Sequence, residues 1–198
     1  MITYSFQTYY EAELLLNKTP SDISWIGSLE GFLLLTISVL AGPLYDRGHF
    51  RALIISGTIL LVLGVFLLSI CDQYWQIMLT QGVLVGFGAG LLFLPSVAIL
   101  PTYFVNRKAL ATGIAMSGSG LGGIIYPVVF HKLQPEIGFG WATRVIGFIM
   151  LGTLAVPIVG MKMRAKPPGV RKMIELEAWK DVPFALLGAG VFLGFAGL

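Results

Sequence analysis

Apolar runs long enough to cross a bilayer recur along this chain, separated by short polar breaks. A hydrocarbon core of about 30 Å takes roughly 17–25 helical residues. Runs of that length predict spans over residues 24–45, 52–71, 75–100, 109–130 and 141–162. A sixth stretch, from Val182 to Leu198, is apolar and Gly-rich and reads as the start of another span. The opening "MITYSFQTYYEAELLL" is amphipathic and too short and polar to cross alone, so it reads as the tail of a first helix. It has neither the basic flank nor the small-residue cleavage site of a signal peptide. The breaks are "NKTPSD", "DRGHFR", a tight turn at "CDQYW", "PTYFVNRKAL", "HKLQPEIGFGW" and the longer "MKMRAKPPGVRKMIELEAWKD". The pattern predicts a helical body over 1–163, a loop over 164–181 and the start of a further helix over 182–198.

Composition turns these runs into membrane spans. Of 198 residues, 56% are hydrophobic and 12% charged, with mean hydropathy +0.84. A soluble domain carries about 25% charged residues, and half that leaves too little polar surface to cover a globule. The chain reads as an all-α, multi-pass integral membrane protein whose surroundings are the lipid bilayer. Ten of its thirteen basic residues fall on one side of the alternating breaks, and only Lys18, Lys132 and Arg144 on the other. The rich side, which includes the 164–181 loop, is therefore expected to be cytoplasmic, most simply beneath a plasma membrane. On the opposite side Asn17-Lys18-Thr19 is an acceptor sequon, which makes Asn17 a candidate for glycosylation, although Pro20 follows at once. No basic stripe with interleaved aromatics suggests nucleic acid. Cys71 is a single cysteine, and neither His49 nor His131 has a ligand-like neighbour, so no metal or cofactor is expected.

Gly118, Gly120 and Gly123 stand in the spacing G-x-G-x-x-G, which in a strand–loop–helix setting would hold a dinucleotide pyrophosphate. Here no strand precedes it, no charged residue lies between Lys108 and Lys132, and the next acid is Glu136. The dinucleotide reading fails on that context. In lipid, helices associate through small residues that let backbones approach closely. Gly118 and Gly122 are four apart, Gly113 precedes them, and the previous span carries Gly82, Gly86 and Gly90. These six are the expected helix-packing glycines, and the pattern fits static packing as well as helices that rock or slide.

"GPLYDRGHFR" resembles the loop between the second and third helices of the major facilitator superfamily, with Gly48 one place early and His49 in its slot. "YFVNRKALATGIAMSGSGLGG" is similar to the entry into the fifth helix of the monocarboxylate transporter family, through Tyr103, Phe104, Arg107, Lys108, Ala111, Gly113, Ala115, Gly118 and Gly122. "FQTYYE", "SDISWIGSLEGFLLL", "YWQIMLTQG" and "GFGWATRVIGFI" resemble its fungal branch. The resemblance implies a twelve-helix facilitator of two six-helix halves that moves a small solute by alternating access, often with a proton. A monocarboxylate or similar anion is the solute it suggests. Asp46, Arg47, Arg51, Arg107 and Lys108 would then form a charged cytoplasmic latch; ordinary positive-inside anchoring is the alternative.

The chain departs from that family in length. It matches the end of the first helix, helices two to six, the central loop and part of the seventh, so it is expected to be an incomplete chain whose path needs a C-terminal half or a second copy. Gly82 stands where many proton-coupled facilitators carry an arginine. Charges inside spans mark functional sites by default, which singles out Glu30, one and a half turns into its span, and Arg144, just inside the last complete one. The implied fold lines its path with helices one, two, four and five, which favours Glu30. A self-assembling half-transporter and a non-transporting scaffold are the other readings. An enzyme is not expected, because no paired acid/base or metal-binding set is present.

Overall fold

The computed structural model describes residues 2–104 and 107–161, together with Leu186 and Gly190. The 164–181 loop and all but those two residues of the 182–198 helix lie outside the described residues. Among the described residues every regular element is helical. Helix α1, Ile2–Tyr9, runs on into a π-helical turn, Tyr10–Leu14. Next come α2, Pro20–Asp46, α3, Phe50–Leu68, and α4, Tyr74–Tyr103.

Helix α2 begins four residues before its apolar run. The Thr19 hydroxyl accepts from the backbone N–H of Asp22, the Asp22 carboxylate accepts from the N–H of Thr19, and Pro20 takes the first turn. This reciprocal cap satisfies N–H groups that a helix start otherwise leaves open. At the other end, Gly48 at φ 93° lets the chain turn from α2 into α3.

A continuous helical run then extends over Lys108–Gly160, 53 residues. A straight helix of that length would be about 80 Å long, far more than a bilayer holds. It divides at Gly138, whose φ of 77° and ψ of 166° are not helical. The two arms are α5, 108–137, and α6, 139–160. The polar break expected over "HKLQPEIGFGW" is thus narrower than the hydropathy suggested. Helix α5 carries on through Pro135, and a single glycine makes the turn.

Helix α4 is central, with α2 on one side and α3 on the other. A Cβ added at Gly86 would lie 2.9 Å from the carbonyl oxygen of Glu30, and one at Gly90 would lie 2.7 Å from Cβ of Ile37. On the opposite face, a Cβ at Gly88 would lie 2.6 Å from the backbone N of Leu61, and Gly57 of α3 faces it with similar closeness. Helix α6 approaches α3 where a Cβ at Gly140 would meet the carbonyl of Ser69 at 2.8 Å. Many outer-face residues are large and apolar, among them Trp25, Phe32, Ile114, Leu121 and Val159, as lipid contact requires.

Candidate functional site

Because α2 starts at Pro20, Glu30 lies ten residues, about 15 Å, along its axis. That is nearly three turns in, deeper than the hydropathy onset had indicated. The half-buried carboxylate meets side chains from two other helices. Thr3 of α1 donates its hydroxyl to Glu30 Oε2 at 3.3 Å, and Gln81 of α4 donates Nε2 to the same oxygen at 3.4 Å. Gln81 Oε1 in turn accepts from the Tyr10 hydroxyl at 2.8 Å. The carboxylate fixes the amide orientation, since the flipped amide would set oxygen against oxygen there.

Tyr10 and Gln81 are 1% and 3% exposed, and each sits in π-helical backbone, Tyr10–Leu14 and Met78–Val85. Such windings occur frequently at functional sites. Buried polar groups in lipid need partners, and this relay supplies them by joining α1, α2 and α4. It borders a cavity of about 480 Å³ between α1 and α2, lined by Thr3, Gln7, Ser24, Gly27, Ser28, Glu30, Gly31 and Leu34.

Arg144 is elsewhere. Its Nε donates to Ser69 Oγ at 3.1 Å and its guanidinium lies 4.9 Å from the Trp141 ring, at the end where α3 stops and α6 begins. The structure therefore does not bring Glu30 and Arg144 together. Asp46 ends α2, Arg47 caps it, and Arg51 lies in the first turn of α3 beside Pro157 of α6 and Met161, which caps α6. Arg107 and Lys108 open α5, and both are exposed. By topology these five share one end of the bundle. Asn17 and Lys18 are exposed at the opposite end, where Lys18 Nζ lies 5.4 Å from the Tyr74 ring.

Gly82, Gly86 and Gly90 all face α2, at Leu29, Glu30 and Ile37. Gly113 and Gly118 face open space among the described residues, and a Cβ at Gly122 would touch only Tyr126 of its own helix. Gly118 and Gly122 instead line a groove of about 550 Å³ that faces Ile149, Met150 and Thr153 of α6. Sequence reasoning passed over Gln81, Tyr10, Thr3, Gly57 and Gly88. Gln81 had a signal, as an amide well inside an apolar run; Tyr10 had none.

Long apolar helices, glycine seams and a deep carboxylate on a polar cavity define a polytopic α-helical integral membrane protein. The family model of the Major Facilitator Superfamily matches residues 1–198, and the chain belongs to that superfamily. It is 50% identical over 193 residues to the MFS-type transporter dbaD of Emericella nidulans, covering 98% of this chain and 44% of that protein. It is also 50% identical over 181 residues to the MFS-type transporter eupM of Phoma sp, covering 90% of this chain and 64% of that one. The agnestins efflux protein AgnL12 of Paecilomyces divaricatus is 39% identical over 194 residues, covering 98% of this chain and 45% of that protein. The chain thus spans about half the length of most of these relatives.

Proposed function

We propose that this chain forms the N-terminal six-helix half of a transporter that moves a small organic solute across a membrane by alternating access, on a path past Glu30. The observation that carries the reading is the relay of Thr3, Glu30, Gln81 and Tyr10, which sets a carboxylate at membrane depth on a polar cavity. Intramembrane carboxylates are expensive and mark solute or proton pathways. Superfamily membership supports the same reading, as do relatives named as efflux proteins. Those names favour outward movement across the plasma membrane, with the Arg47–Arg51 loop and Lys108 on the cytoplasmic side. The motif over Tyr103–Gly122 adds small monocarboxylates, carried with a proton on Glu30, to the candidate solutes. A second six-helix body completes the path, either from further sequence of the same protein or from a second copy.

The test is saturable countertransport in proteoliposomes, with the 198-residue chain alone and joined to a C-terminal half from a relative. Saturable transport that falls at least about tenfold in Glu30→Ala at normal abundance supports the path. Transport by the chain alone identifies the second copy as partner. Unchanged transport in Glu30→Ala removes Glu30 from the path, and no saturable transport in either form leaves a scaffold.

A further inference from the structure

We infer that the cavity between α1 and α2 binds a solute through hydroxyl, phenol or ammonium donors and, while Glu30 is ionised, discriminates against carboxylates. This rests on the proposed path past Glu30 and names the chemistry that path accepts.

The argument is a count of donors and acceptors. Ser24 spends its one hydroxyl hydrogen on the carbonyl of Pro20, at 2.9 Å. Ser28 spends its own on the carbonyl of Ser24, at 3.1 Å. Gln7 uses both amide hydrogens, one on Glu11 Oε1 at 3.0 Å and one on Ser24 Oγ at 3.1 Å. Thr3 gives its hydrogen to Glu30 Oε2, and an ionised carboxylate has none to give. Gly27, Gly31 and Leu34 complete the lining and bring no polar side chain. In this arrangement what these side chains offer is acceptor capacity: lone pairs on Ser24, Ser28 and Thr3, Gln7 Oε1 and Glu30 Oε1.

A solute entering this cavity must supply the hydrogens. A carboxylate would meet lone pairs and the negative charge of Glu30, and the lining among the described residues includes no Lys or Arg to offset either. Protonation of Glu30 would add one donor, the single state in which an anion could pair here. The volume, about 480 Å³, falls within the usual range for a small-molecule site, so a ring with two or more donors fits it.

The experiment compares three probes of one size on the purified protein at neutral pH: 4-hydroxybenzyl alcohol, tyramine and 4-hydroxybenzoate. Equilibrium binding is measured beside countertransport in proteoliposomes of the same preparation. The alcohol and the amine should bind at least about tenfold more tightly than the carboxylate. Glu30→Gln, which keeps an acceptor but adds two donors, should narrow that ratio by a similar factor. Ser28→Ala, an exposed change, should weaken the alcohol more than the carboxylate, which has one donor fewer. Equal or tighter binding of 4-hydroxybenzoate overturns the inference, as does a ratio unchanged in both variants, or no binding of any probe. The expected order of binding without countertransport supports the ligand class and counts against the transport reading alone.

Discussion

A methyl group at Gly86 would sit 2.9 Å from the Glu30 carbonyl oxygen, a backbone atom that cannot swing aside. Gly86→Ala should therefore push α4 from α2 and cost about 1–3 kcal/mol, the usual penalty of overpacking. Gly118→Ala has open space around it and gains helix propensity of up to about 1 kcal/mol. Thermal stability in detergent should fall in the first variant and hold or rise in the second. A fall in both would place a helix against Gly118 that the described residues do not supply. The four-residue spacing was legible in both glycine rows, and for both it predicted close packing. Which row meets a backbone depends on the opposing helix, which no row of glycines encodes. The same reason hid Tyr10, whose partner Gln81 is 71 positions away.

At the scale of elements, hydropathy located each span among the described residues and misplaced several ends. Its onset missed the first turn of α2, because polar Thr19 and Asp22 build the cap that starts the helix. It widened the α5–α6 break, because Lys132, Gln134 and Glu136 are polar yet helical. The π-helical winding of α4 left no trace in the sequence. There each hydrogen bond reaches back five residues instead of four, so deleting one exposed residue, Leu79, should let the stretch rewind as an α-helix. Rewound, each residue step from Gln81 to Gly86 would advance by about 100°, more than in the looser winding, so Gln81 would turn relative to the seam. The seam at Gly86 and Gly90 would stay on α2 while the Tyr10–Gln81–Glu30 relay is pulled apart. The expected outcome is near-normal surface abundance with transport reduced at least about tenfold. Normal transport by the deletion variant would show that the winding does not serve the relay.

For the whole molecule, the two ends of the bundle differ in charge, and orientation follows from that difference. Lys18 lies beside Tyr74 at one end, and the Asp46–Arg51 connection lies beside Met161 at the other. In a Cys71→Ala background, an impermeant thiol reagent added to intact cells should label cysteine at position 18 and spare cysteine at position 108. The reverse pattern would invert the topology. All-α class and membrane residence could be read from hydropathy and charge alone, since lipid imposes both on the sequence. The cavity could not, because its polarity depends on which hydrogens Ser24, Ser28 and Gln7 have already spent.

The π-helical stretch also bears on how far α4 can move. Eight residues, Met78–Val85, are wound more loosely than in an α-helix, so α4 holds spare length between its glycine seam and its Tyr74 end. Slack of this kind can slip along a helix one residue at a time, with each broken hydrogen bond replaced by another. The first third of α4 can thus screw or shorten while Gly86, Gly88 and Gly90 remain clamped between α2 and α3. The clamp sets where α4 sits in the bundle, and the slack leaves the depth of Gln81 adjustable.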